Sequence, residues 1–136
     1  MARNSPDHAL RLAFVKLNVP SMAPALAFWQ AAMGFKIVDT YDEDTFLENI
    51  LSLPGEDQLH LMLVEWKGPL AITMGTGHGP VGFVTHDVEA SLSRAVAAGA
   101  SVELPATEVA PGLVIAKFVS PQGHEAELVH QKPKED

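Results

Sequence analysis

From residue 12 to residue 19 apolar and polar positions alternate. Ala13, Val15, Leu17 and Val19 share one face, and Phe14, Lys16 and Asn18 share the other. That period of two marks a half-buried strand. The spacing then becomes helical, with Met22, Leu26, Trp29 and Met33 on one stripe. Ser21 stands where an N-cap is needed, and Pro24 is tolerable in a first turn. Gly34 follows where a left-handed residue ends a helix. Segments 35–40 (FKIVDT), 46–53 (FLENILSL) and 58–66 (QLHLMLVEW) predict three further strands, the last two joined by a Pro-Gly turn.

The same order then recurs. Residues 81–86 predict a strand, and Asp87 caps a helix striped by Val88, Leu92, Ala95 and Val96 and closed by Gly99. Strands follow near 101–108, 113–119 and 124–130, with turn signals at Pro111-Gly112 and at 120–123. PGEDQLHL (54–61) and PQGHEAEL (121–128) align without a gap, and the sixth residue after the proline is His60 in one and Glu127 in the other. AFVKLNV (13–19) and PVGFVTH (80–86) repeat at nearly the same offset, and Phe14 then falls opposite Pro80 and Gly34 opposite Gly99. The chain reads as a duplicated β-α-β-β-β unit. Module 12–66 and module 80–130 are joined by connector 67–79, made flexible by Gly75, Gly77 and Gly79. Neither half can cover its own sheet, so the two pack together or exchange with another copy.

Composition narrows the classes. At 136 residues, 47% hydrophobic and 19% charged, the chain is long and apolar enough for one folded domain spanning 1–136. A net charge of −8 argues against nucleic acid or an anionic membrane as partner. With no cysteine, disulfides and thiolate chemistry are excluded. The N-terminal MARNSPDHALRL has no long apolar stretch and no run reaches membrane-spanning length, so a cytoplasmic protein is expected. No serine has the surroundings of an activated hydroxyl. GTGHGP has the glycines of a phosphate loop without its lysine or its strand-loop-helix context, and reads as a hinge.

The duplicated unit, the segment LNVPSMAPALAFWQAAMGF after the first strand, and SPQGHEAELVH near the end together resemble the vicinal oxygen chelate superfamily. That group includes glyoxalase I, bleomycin- and fosfomycin-resistance proteins and extradiol dioxygenases. The resemblance runs from about Leu12 to His130 and implies an α+β fold. Paired βαβββ modules would form a curled, cup-shaped mixed sheet with helices on the outside, and a homodimer is implied as well. In metal-dependent members one divalent ion is held by a residue from the first and last strand of each module. Here those positions fall on Phe14 and Pro80, which carry no donor, and on His60 and Glu127, which do. Two protein ligands are fewer than catalytic zinc or facial-triad iron takes. No cofactor is therefore predicted; any metal would rest on His60 and Glu127.

Strand alternation then names the face of the cup: Phe14, Lys16 and Asn18, His60 and Met62, Glu125 and Glu127. Lys16 in a partly apolar hollow needs a counter-charge, which Glu127 or Glu125 could supply. The bland alternatives stand beside these. His60 can be a hydrogen-bonded interior histidine, Glu125 can reach solvent at the rim, and Trp29 fits a core stripe. Trp66 fits either core or a ligand-stacking wall. His78 reads as an exposed connector residue that a shifted register could bring to the cup, and His86 as an exposed polar one. His124 and His130 fall on the face opposite Glu127 and are poor candidates for the same site. Two functions follow. One is a small-molecule binder in a cup without the full metal-ligand set, as in drug-sequestering resistance proteins of the group. The alternative is a lyase, isomerase or dioxygenase using His60 and Glu127 as acid/base pair or partial metal ligands. A third possibility, a purely structural or partner-binding domain, predicts a filled cup.

Overall fold

The structure, a computed structural model, describes residues 10–133, so both predicted modules lie within it while most of the polar N-terminal stretch lies outside. The first module comprises β1 (Phe14–Asn18), α1 (Met22–Met33), β2 (Lys36–Asp42), β3 (Phe46–Ser52) and β4 (His60–Trp66). The second comprises β5 (Val81–Val84), α2 (Val88–Ala97), β6 (Ser101–Ala110), β7 (Leu113–Val119) and β8 (Glu125–Gln131). Each predicted element is present, in the predicted order.

The architecture is α+β, with two four-stranded mixed sheets of identical connectivity. Their orders are β1-β4-β3-β2 and β5-β8-β7-β6, and in each the first and last strands of the module run parallel. The first strands, β1 and β5, are therefore edges. Alternation decides which face each strand buries. Leu61 and Leu63 of β4, and Ala126 and Leu128 of β8, are almost fully buried, whereas their neighbours His60, Met62, Glu125 and Glu127 are half-buried.

The buried faces meet in one core. Trp29 of α1, 1% exposed, packs edge-on against Phe28 at 5.1 Å and against Phe35 at 6.4 Å. Across the module boundary its ring lies 6.3 Å from Phe83 of β5 and 6.4 Å from Phe118 of β7. The two halves thus pack on each other within one chain through this aromatic cluster, and Trp29 is core as its stripe predicted. The stripe itself is rotated. Met22, Ala25, Phe28, Trp29 and Ala32 are buried, while Leu26 and Met33 are only partly so. α1 faces the second module as well as its own sheet, which turns its buried arc toward Phe28. In α2 only Val88 and Ala95 are buried, and Val96 is 44% exposed.

The helix starts differ too. Asp87 caps α2, its carboxylate accepting from Ala90 N at 3.0 Å. Ser21 holds the N-cap position of α1 in an extended conformation, but its side chain makes no capping bond; the Glu65 carboxylate accepts from Met22 N instead. Gly34 ends α1 at φ 80, as its position predicted. α2 ends at Ala98, with Gly99 one residue beyond at φ 118.

Candidate functional site

Register fixes which side chains share the open face of each sheet. Phe14 lies opposite His60, Lys16 opposite Met62 and Asn18 opposite Val64, and across β4 these continue to Ile50 and Glu48 of β3. In the second module Glu127 lies opposite Gly82 on one side and Lys117 on the other. The structural counterpart of Phe14 is thus Gly82 rather than Pro80. The slip is two residues, so the same face is kept, and neither residue offers a donor side chain.

Lys16 finds its counter-charge in its own module. Its Nζ reaches over β4 to Glu48 Oε1 at 3.1 Å, not to Glu125 or Glu127. Glu48 is 8% exposed, so this carboxylate is largely withdrawn from water and the ammonium offsets its desolvation. The same ammonium stands 5.5 Å from the centroid of the Phe14 ring, a cation–π contact that fixes the outer end of the strand. Asn18 Oδ1 accepts from Trp66 Nε1 at 2.9 Å, and Trp66 leans on Phe46 with ring centroids 5.6 Å apart. Trp66 is 43% exposed, so it walls the open face and is not core.

Phe14, Lys16 and Asn18 border a hollow of about 710 Å³ whose far wall is Pro80 and Gly82. The connector supplies Ile72, Thr73, Met74 and His78, and His124 closes one end. His78 is exposed, as expected of a connector residue, and His124 is half-buried. From the connector His78 also borders the hollow. His124 stands one residue before β8, in the turn, where strand alternation does not govern side-chain direction. Burial lowers the pKa of His124, and a hydrogen bond with the Asn18 backbone opposes that. Its Nδ1 is closed off from water without a partner.

The other predicted residues are dispersed. His60 borders a second hollow of about 330 Å³, between Phe35, Leu53 and Glu56 on one side and β5 on the other, and its Nδ1 is also buried without a partner. Met62, Glu125 and Glu127 line neither of these hollows. Glu125 belongs instead to a cluster on the open face of the second sheet. The Glu103 carboxyl is pushed above the usual range by hydrogen bonding to Glu125, with burial and the Glu125 charge adding and Lys117 opposing. His130 turns away, its Nδ1 3.1 Å from Thr85 O, with its ring 6.5 Å from that of His86. Among the described residues no three His, Asp or Glu side chains are grouped to hold a metal ion.

Glu48 and the connector residues Ile72, Thr73 and Met74 were not among the sequence candidates. Alternation from Phe46 places Glu48 on the open face, but only the β3–β4 register shows that it comes within reach of Lys16. His124 was hidden by a one-residue strand boundary.

The model of the Glyoxalase/Bleomycin resistance protein/Dioxygenase superfamily matches residues 7–128. Among solved structures, a glyoxalase I mutant from Zea mays superposes with a TM-score of 0.78 at 23% identity, over 87% of this chain and 46% of that one. The chain therefore spans about half the length of the maize enzyme. A glyoxalase family protein from Bacillus cereus superposes with a TM-score of 0.79 at 17% identity, over 98% and 99% of the two chains. The trypanothione-dependent glyoxalase I of Leishmania major gives 0.73 at 17% identity, over 90% and 87%. At these identities the likeness carries the fold alone. No curated protein sequence matches. Among the described residues no helix is long and apolar enough to cross a membrane.

Proposed function

Because the chain belongs to the glyoxalase/bleomycin resistance protein/dioxygenase superfamily, we propose that it binds a small aromatic or amphipathic molecule in the hollow between its two first strands. The observation that carries this reading is the hollow itself. At about 710 Å³ it falls in the range of small-molecule sites. Phe14, Ile72, Met74 and Pro80 give it apolar walls, and Lys16, Asn18, His78 and His124 set a few polar groups among them.

The residues present do not fit the divalent ion of the superfamily's metal-dependent members. Phe14 and Gly82 stand at the two first-strand positions, leaving His60 and Glu127 as the only donors of the expected four. Catalytic zinc takes three protein ligands and facial-triad iron takes three. The alternative, a lyase, isomerase or dioxygenase working through His60 and Glu127, needs both side chains on one substrate. His60 borders the smaller hollow and Glu127 borders neither, which favours binding over turnover. Pairing with a second copy belongs to the same proposal. It is supported by the open face of the first sheet, where Phe14 and Trp66 remain 44% and 43% exposed.

Fluorescence titration with naphthalene-sized compounds tests the reading. Saturable one-to-one binding is expected, weakened about fivefold by Phe14→Ala, the loss of roughly 1 kcal/mol of aromatic contact. Failure of every such compound to saturate the protein overturns it. So does a divalent ion retained in one-to-one amount by protein purified without added metal.

A further inference from the structure

The turn that carries His124 is already closed by its backbone. Ser120 N donates to His124 O at 2.7 Å and Gly123 N donates to Ser120 O at 2.9 Å. The Ser120 hydroxyl accepts from His124 N at 3.0 Å. The imidazole is therefore not needed to make the turn, and its position against the hollow calls for another explanation. Its Nδ1 has no partner and no water contact. A buried polar atom left unmatched is costly, and native structures keep few of them. In a neutral imidazole protonated on Nε2, Nδ1 is a lone-pair acceptor.

What lies over this turn comes from the connector. Met74 Cε and Cγ stand 3.4 Å from the point where a Cβ on Gly123 would sit, and Met74 also borders the hollow. Gly75, next along the connector, is at φ 65, a conformation that suits a hinge.

We propose that His124 Nδ1 is the hydrogen-bond acceptor that orients the bound molecule, and that the connector segment carrying Met74 is the cover that moves aside to admit it. The inference rests on the binding function proposed above and specifies its ligand class: an aromatic or amphipathic molecule bearing a neutral O–H or N–H donor, such as a phenol or an amide. His78 and Lys16, both donors or cations on the same hollow, complement the ligand's acceptors.

Paired probes separate this claim from the one beneath it. 2-Naphthol carries the donor and 2-methoxynaphthalene lacks it at nearly equal size. The full chain is expected to bind 2-naphthol about fivefold to tenfold more tightly, the value of one neutral hydrogen bond. His124→Phe is expected to abolish that preference, bringing the affinities for the two probes together; His124→Asn, which keeps an acceptor, retains part of it. Both variants are checked for a single cooperative unfolding transition. The ¹⁵N resonance of Nδ1 should report an unprotonated nitrogen in the free protein and move with 2-naphthol only. Met74→Ala should speed 2-naphthol association about threefold or more without changing the preference between probes, as expected for a cover that gates access. Equal affinity for the two probes, or a preference that survives His124→Phe, overturns the anchoring role while the binding function stands. Unchanged association in Met74→Ala overturns the cover. If neither probe binds, the binding function falls and this inference with it.

Discussion

The two modules share connectivity and hydrophobic alternation, yet their open faces carry different chemistry. In the first, an ion pair between Lys16 and Glu48 is seated among Phe14, Tyr41, Phe46 and Trp66. In the second, the corresponding surface gathers Glu103, Glu125 and Glu127 around one cation, Lys117. The faces turned toward the helices, by contrast, are alike: Leu61 and Leu63 in one, Ala126 and Leu128 in the other. Selection on a duplicated unit acts differently on its two sides. The inner side has to fill a shared core at native density and tolerates little change. The outer side is constrained only by what it binds, so the copies can drift apart there without losing the fold.

The largest effect is therefore expected from the shared side. Trp29→Ala removes the ring that touches Phe83 and Phe118 of the other module, and should cost about 3–5 kcal/mol. Because one core serves both halves, unfolding should remain a single transition in urea. Fluorescence of the remaining tryptophan, Trp66 in the first module, should report the same midpoint as far-ultraviolet circular dichroism. Midpoints that separate would show two independent modules and break the comparison at its base.

Substitutions on the open faces should separate the modules from each other. Lys16→Met strands the nearly buried Glu48 carboxylate. A fully buried pair would lose more, but Lys16 is half exposed, so about 1–2 kcal/mol is expected. Adding Glu48→Leu should recover most of it. Lys117→Met removes the cation from a cluster in which Glu103 is exposed and Glu125 and Glu127 are half-buried, so solvent and salt screen much of the repulsion. Its smaller fall in Tm should vanish at high ionic strength, while that of Lys16→Met should persist. Equal salt sensitivity of the two variants would sink the distinction between a buried pair and a screened patch.

The inner faces are also what the sequence made legible. Alternation at 13–19 and 58–66, helical spacing after Ser21 and Asp87, and glycines at 34 and 99 suffice to place every element, because each is a local signal. The site is only partly local. Phe14, Lys16 and Asn18 follow from alternation alone and do border the hollow. The partner of Lys16 depends on how β3 registers against β4 across an intervening strand, which no local pattern records. His124 depends on whether a strand begins at 124 or 125, a boundary finer than periodicity resolves. Pro80 and Gly82 differ by one full period, so the sequence fixes their face but not which one lies opposite Glu127. The rotated stripe of α1 has the same origin: its second partner is another module, invisible from the helix itself.

The smallest effects are those of pH, and there the modules act in opposite directions. Glu103 is raised above its ordinary 4.5 chiefly by its hydrogen bond to Glu125. The folded state then holds the proton more tightly than the unfolded one. Its contribution is present in full below 4.5 and is lost as pH rises through the folded value. Replacing it by Gln keeps a donor for Glu125 without the charge. Glu103→Gln should therefore raise Tm at about pH 7, with the gain closing toward about pH 4. His124 runs the other way. Burial lowers it below 6.5, so stability is lost as pH falls from 6.5 toward its folded value, and His124→Phe should flatten that limb. The window of Glu103 opens upward from 4.5 and that of His124 downward from 6.5, so the two groups oppose each other in sign. Only the single variants expose the slopes. A Glu103→Gln protein whose Tm tracks wild type at every pH would show that the acidic face of the second module shares no proton, and that the open faces differ in composition without differing in electrostatics.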